Sequence, residues 1–221
     1  MTELLTSAQM RAVEKAAIDS GTVTGLTLME RAGQGVVDAI LAQWPAFAEA
    51  PHRAIVLCGP GNNGGDGFVV ARLLREAGWE VAVYLYGDAQ TLPPDAKVNH
   101  ARWAASDPVQ TVEALAKRGC KDDPDTPPPL FVDACFGIGL TRPIGPPLAD
   151  IVAACNDTAH GHVVSIDLPS GLDSDTGRAL GTAGTAFIAD LTVTFHRLKP
   201  AHVAADGARH CGKVVVADIG L

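Results

Sequence analysis

Hydrophobic residues along this chain keep two different rhythms. Short apolar runs predict β-strands at Ile55–Cys58, Trp79–Tyr86, Leu130–Cys135, His162–Asp167, Phe187–Phe195 and Lys213–Asp218. Between them the spacing turns helical. Phe68, Ala71, Leu74 and Ala77 share one face, and helices are also predicted over Asp95–Ala105, Pro108–Lys117 and Pro146–Ala154. The last carries proline in its first turn, where a missing N–H costs nothing. Ahead of the first strand, Thr6-x-x-Gln9 and Thr27-x-x-Glu30 are capping-box patterns, each opening a helix. The first helix stops at Gly21 and the second near Trp44-Pro45. The polar, proline-rich stretch Lys121–Pro129 reads as a surface loop.

Strand and helix alternate from Ile55 onward. Right-handed crossovers then give an α/β fold: a Rossmann-like, doubly wound, mostly parallel sheet with helices on both faces. The two leading helices form an N-terminal two-helix extension. Their apolar stripes either pack on their own sheet or cover a second molecule, and a stripe alone does not decide which. No repeat or linker divides the chain, so residues 1–221 are read as one domain.

The most informative stretch follows the first strand. Residues 59–67 include five glycines, at 59, 61, 64, 65 and 67. Strand, glycine-rich turn and helix in that order form the first half of a phosphate-binding βα unit, in which the helix N-terminus attracts an anion. Gly59-x-Gly61-x-x-Gly64 satisfies the dinucleotide fingerprint, while the Walker pattern fails for want of a Lys-Ser/Thr pair. Neither pattern accounts for Asn62, Asn63 and Asp66, whose side chains add oxygen acceptors and amide donors. Asp66 has a plainer reading as a helix cap. Asp88, after the second strand, suits either a ribose contact or a turn.

Two more strands end in candidate chemistry. Asp133 lies near the carboxyl end of the third, followed by the glycine-rich turn Gly137, Ile138, Gly139, Leu140, Thr141, Arg142, Pro143. Arg142 either meets a phosphate or lies on the surface. Asp167 ends the fourth strand, with Ser170 three residues on. Open α/β sheets bind ligands at the carboxyl ends of their strands, so these residues are expected to converge. The set is rich in oxygen and holds no thiolate or paired imidazole, which suits a hard cation without naming one.

Bulk properties narrow the choice. The formal charge of −8 argues against general nucleic-acid binding. Five cysteines without a Cys-x-x-Cys pair fit a reducing compartment. The seven histidines show no dedicated metal spacing. No apolar run approaches the roughly 18 residues of a membrane span, and no basic region precedes an apolar one at the N-terminus. A cytoplasmic protein with no nucleic-acid or membrane partner is expected.

Gly59-Pro-Gly-Asn-Asn-Gly-Gly-Asp-Gly67, Asp133-Ala-Cys-Phe-Gly-Ile-Gly-Leu-Thr-Arg-Pro143, Asp167-Leu-Pro-Ser-Gly-Leu-Asp173 and Phe195-His-Arg-Leu-Lys-Pro200 occur in that order across nearly the whole chain. Together they resemble the NAD(P)H-hydrate epimerase family, the YjeF N-terminal domain. The resemblance implies an enzyme that interconverts the R and S forms of hydrated NADH or NADPH. Asn62, Asn63, Gly64, Gly65, Asp66, residues 137–143 and Asp167 would bind this substrate. It also implies a potassium ion held by Asn63, Asp133 and Ser170, a homodimer using the N-terminal region, and a functional link to a separate hydrate dehydratase. For the chemistry, Asp167 is the expected general acid and base. That role asks for a carboxyl pKa raised in a dry crevice. Lys199 is a candidate for charge balance. The alternatives are an NAD-dependent oxidoreductase, for which no Tyr-x-x-x-Lys relay is found, and a non-catalytic nucleotide-binding module.

Overall fold

The computed structural model describes residues 3–50, 52–119, 127–157, 161–182 and 184–221. Most of the predicted 121–129 loop lies outside them, as do Cys120 and His160. Among the described residues, seven strands form one sheet in the order β3-β2-β1-β4-β5-β6-β7. They are β1 (Arg53–Cys58), β2 (Glu80–Leu85), β3 (Val109–Thr111), β4 (Leu130–Ala134), β5 (Val163–Ile166), β6 (Leu191–Phe195) and β7 (Lys213–Ala217). Every pairing is parallel. The switch of direction falls between β1 and β4, where doubly wound sheets open a crevice.

The pleat explains the two-sided core. On β1, Ala54, Val56 and Cys58 face one side, with Val36, Ile40, Phe68, Leu74 and Trp103. Ile55 and Leu57 face the other, with Leu115, Phe131, Leu148 and Ile151. Strands buried on both faces read as continuous apolar runs, which is why they stand out in the sequence. The first side is covered by α2 (Gly25–Gln43), α3 (Asn62–Glu76) and α4 (Pro94–Ala104). The second is covered by α5 (Val112–Arg118) and α6 (Leu148–Asp157). Short α7 (Pro200–Val203) and α8 (Ala205–Cys211) link β6 to β7.

The leading helices differ from each other. In α1 (Ser7–Asp19) the predicted capping box closes: Gln9 N–H donates to Thr6 Oγ1 (3.3 Å) and Thr6 N–H to Gln9 Oε1 (2.9 Å). Only Met10 of α1 is buried. Helix α2 instead starts one turn earlier than Thr27. Its cap is Thr24, whose Oγ1 accepts from Thr27 N–H (3.1 Å). Two threonines three apart compete for this role, and the one whose backbone is extended takes it. The apolar stripe of α2 is spent on the chain's own sheet and α3.

Two strand boundaries also change. Val109–Thr111, expected within a helix, pairs with Val83–Leu85 as edge strand β3. Three residues, Val109, Gln110 and Thr111, next to a helix start are too few for their period to be read. Strand β6 begins at Leu191 rather than Phe187, because Asp190 ends the approach. Its carboxylate accepts from Val163 N–H (2.8 Å), and its own N–H donates to Val163 O (2.8 Å).

Candidate active site

The crevice begins at the turn from β1 to α3. A Cβ on Gly59 would lie 1.8 Å from the carbonyl oxygen of Cys135, and one on Gly64 would lie 2.0 Å from Gly59 O. These glycines let the turn lie flat against the end of β4. Gly61 caps α3 without a side-chain bond, so the first turn of the helix starts with free N–H groups. Asp66 is the fifth residue of that helix. It is not a cap, and no hydrogen bond or ion pair engages it among the described residues.

Below this turn, Asp133 is almost fully buried and accepts four hydrogen bonds. Oδ2 takes Ser165 Oγ (3.0 Å), from its partner position on β5, and Ser170 N–H (2.7 Å). Oδ1 takes Ser170 Oγ (2.6 Å) and Cys135 N–H (3.2 Å). Phe136 N–H in turn donates to Ser170 Oγ (2.8 Å). Burial still pushes the Asp133 carboxyl up to about 6, against the lowering effect of those bonds. Asn63 Nδ2 is buried and has no hydrogen-bond partner among the described residues.

At the end of β5 the chain makes a sharp turn. Asp167 has φ +65°, a left-handed conformation that costs a side-chain-bearing residue strain of about 1 kcal/mol or more. It is held there from several directions. Its N–H donates to Val193 O (2.7 Å), and His202 Nε2 reaches its carbonyl oxygen (2.9 Å). His202 Nδ1 accepts from Lys199 N–H (2.9 Å), so the proton of the neutral ring sits on Nε2 and is donated to Asp167 O.

The Asp167 carboxylate is equally fixed. Oδ2 accepts from Ile138 N–H (3.0 Å), and Oδ1 from Thr194 Oγ1 (3.0 Å). Lys199 Nζ lies 2.8 Å from Oδ1, with the lysine side chain 1% and the aspartate 10% exposed. The same ammonium donates to Thr194 Oγ1 (2.7 Å) and Phe195 O (3.1 Å).

These segments enclose a cavity of about 450 Å³, a usual size for a small-molecule site. Asn62, Asn63, Asp66, Gly137, Ile138, Gly139, Asp167 and Lys199 line it. Gly64, Gly65, Asp133 and Ser170 are buried and do not line it, because the end of β4 and the turn after β5 close over one another, and Leu140 joins the core. Thr141, Arg142 and Pro143 are exposed and do not line it. Asp88 lies outside as well; its Oδ1 accepts from Gln90 N–H (2.8 Å), the turn role. Helix α1 contributes a wall that the sequence reading missed. Met10, Arg11 and Glu14 line the cavity, and Arg11 Nη2 donates to Ile138 O (3.0 Å). Their shared helical face was legible, but not what it covers.

The electrostatics depart from expectation. Burial alone would raise Asp167, yet the charge and hydrogen bond of Lys199 outweigh it and hold the carboxyl below its usual range. The raised carboxyl is Asp66. Burial pushes it well above normal, and the charges of Asp167 and Glu14 push it further. Glu14 is also raised, by burial and Asp167, with Lys199 and Arg11 opposing. One cavity thus holds one carboxyl held below the usual range and one pushed well above it.

Residues 25–201 match the family described as YjeF-related protein N-terminus. The chain belongs to this family. It is similar over its whole length to two relatives named NAD(P)H-hydrate epimerase. One, from Roseobacter litoralis, is 48% identical, and one, from Rhodobacter capsulatus, is 49% identical; all of each chain is covered. It is also 36% identical to a longer relative from Coxiella burnetii, named a bifunctional NAD(P)H-hydrate repair enzyme; all of this chain and 42% of that relative align. Among solved structures, the yeast protein ynu0 (YNL200c) superposes with a TM-score of 0.76 at 24% identity, covering 97% of this chain and 87% of that one. That likeness establishes the fold of this family member. No helix among the described residues is long and apolar enough to cross a membrane.

Proposed function

We propose that the chain is an NAD(P)H-hydrate epimerase, interconverting the R and S forms of hydrated NADH or NADPH. One observation carries this reading beyond the relatives' names. A glycine-lined helix start and two aspartates whose surroundings push their pKa values in opposite directions share one cavity at the carboxyl ends of the strands. The substrate carries a hydroxyl on a ring carbon, C6, beside the ring nitrogen. Its inversion needs an anion-binding end for phosphate and groups that handle protons at that carbon.

The chemistry follows from the ring. The nitrogen lone pair expels the hydroxyl and leaves a flat iminium cation. Water then adds from the other face. Asp167, fixed as a carboxylate by Lys199, Thr194 and the Ile138 N–H, stabilises that cation and accepts a proton from the incoming water. Because these partners are preformed, the carboxylate needs no reorganisation as charge develops. An ionised Asp167 cannot protonate the hydroxyl that departs in the same step, so a second group has to supply that proton.

A potassium ion fits the oxygen set of Asn63, Asp133 and Ser170. Asp133 is a buried carboxylate without an ion-pair partner among the described residues, and Asn63, in the cavity wall, has an amide oxygen that no hydrogen bond among those residues engages. Bound there, potassium would supply fixed positive charge that steadies the turn against the end of β4. Raising potassium should then raise the thermal midpoint of the wild type, and Asp133→Asn should abolish that dependence. A homodimer formed through α1 and a separate dehydratase that consumes the S form complete the proposal. The stripe of α2 is already covered, whereas α1 leaves Ile18 exposed.

The test mixes R-hydrate with an S-specific dehydratase and follows NADH absorbance at 340 nm. Added protein should carry conversion to completion. Conversion no faster than without it would end this reading.

A further inference from the structure

The departing hydroxyl lacks a proton donor. Hydroxide leaves poorly, so the C6–O bond must be protonated as it breaks. The ionisable groups facing the cavity are Arg11, Glu14, Asp66, Cys135, Asp167 and Lys199. Arg11 is engaged with Ile138 O, and Lys199 with Asp167, Thr194 and Phe195 O. The Cys135 thiol is turned to Leu57 O (3.5 Å). Only Glu14 and Asp66 have no hydrogen bond or ion pair among the described residues.

Placement separates these two. Glu14 sits on α1 under the opposing charges of Arg11 and Lys199. Asp66 sits between buried Gly65 and Gly67 on α3, where the acting charges, Asp167 and Glu14, are both negative. Burial first, and then those two charges, favour the protonated form of a carboxyl there. Helix α3 does not need it as a cap, so its side chain has no structural task. Strands β1 and β5, from which the two aspartate walls rise, are two positions apart in the sheet, or about 10 Å. Both aspartates line the one cavity of about 450 Å³.

We propose that Asp66 is the catalytic acid, and that Asp66 and Asp167 hold one proton between them and pass it across the ring at each inversion. The proposal rests on the epimerase reading. For the epimer whose hydroxyl faces Asp66, the carboxyl gives its proton to that oxygen. The C6–O bond breaks with its electron pair on oxygen, water departs, and the nitrogen lone pair forms the C6–N double bond. A water on the Asp167 side attacks C6. Its pair makes the new C6–O bond, the double-bond pair returns to nitrogen, and the surplus proton goes to the Asp167 carboxylate. Asp66 is left ionised and Asp167 protonated, the state from which the reverse reaction runs. The pair is coupled: once Asp167 is neutral, the charge that held the proton on Asp66 is gone.

The experiment compares wild type, Asp66→Asn and Glu14→Gln as full-length protein in potassium buffer. Equilibration of each pure epimer is followed by chromatography, and unfolding by urea is followed against pH. For Asp66→Asn, kcat should fall about 100- to 10,000-fold with KM changed by about threefold or less. The Asp66→Asn protein should also resist more urea than wild type at neutral pH, and this advantage should vanish in acid, where Asp66 is protonated in both folded and unfolded chains. Three results would overturn the proposal: kcat of Asp66→Asn within about threefold of wild type, a rise in KM with kcat intact, or the larger kcat loss in Glu14→Gln. If the wild type itself does not equilibrate the epimers, the epimerase reading fails, and the urea comparison still tests the protonation of Asp66.

Discussion

Replacing Lys199 by methionine tests the electrostatic frame of the site. The substitution keeps the apolar stem and removes an ammonium that makes three contacts at 3.1 Å or less, to Asp167 Oδ1, Thr194 Oγ1 and Phe195 O. The lysine side chain is 1% exposed, so water cannot replace those partners. Breaking a buried pair by removing one member costs about 3–5 kcal/mol. An upper limit comes from Asp167 itself, which can escape by taking a proton. From an ordinary carboxyl pKa, that costs about 4 kcal/mol at pH 7. The expected loss at pH 7 is therefore about 3–4 kcal/mol. The sign with pH is fixed by the same pair. Asp167 has a depressed folded pKa, so its stabilisation is present above the ordinary carboxyl range and is lost as pH falls through the folded value. The gap between wild type and Lys199→Met should shrink by up to about 1.4 kcal/mol per pH unit between pH 7 and about 4. Urea unfolding read by the fluorescence of Trp44, Trp79 and Trp103 measures it. A loss under about 1 kcal/mol at pH 7, or a gap that widens in acid, would refute the assignment of Asp167 as a lysine-bound carboxylate.

Three other outcomes are expected. At His202, glutamine retains a donor at the Nε2 position for Asp167 O, whereas asparagine retains only an acceptor in place of Nδ1. His202→Gln should therefore keep more of kcat than His202→Asn, and the reverse order would remove His202 from the positioning of Asp167. The wild-type kcat–pH profile should be bell-shaped. Activity falls in acid, below the usual carboxyl range, as Asp167 takes a proton, and falls on the alkaline side as Asp66 loses one well above that range. A rate flat on the alkaline side up to pH 10 would contradict this. Gly59→Ala places a methyl 1.8 Å from a backbone carbonyl oxygen that cannot rotate away, so a loss of about 3 kcal/mol in urea unfolding is expected. A loss within error of zero would show that the turn does not lie against β4 as described.

The sheet was legible because parallel strands buried on both faces print themselves as apolar runs. Asp133, Asp167 and the 59–67 turn were legible because chain order and the switch point place strand ends together. Local order says less about edges, so β3 was taken for helix and Thr27 for a cap. The protonation of the site could not be read at all. It is set by Lys199, 32 positions after Asp167 and joined to it only in three dimensions. Without that contact, burial points Asp167 the wrong way. Asp66 showed the opposite difficulty: its sequence neighbours suggest a cap, whereas its fifth position in α3 frees it for chemistry. Arg11 and Glu14 belong to a helix with an unremarkable polar pattern, and nothing in that pattern says that α1 walls the cavity.

The account stands on the loss and return of one oxygen at the inverting carbon. A single pure epimer of NADH hydrate should be incubated with the protein in ¹⁸O-labelled water and followed by chiral chromatography with mass detection. The other epimer should form faster than in buffer alone and carry the label at C6. Formation of that epimer with its original oxygen, or no enzyme-dependent formation, would contradict the account.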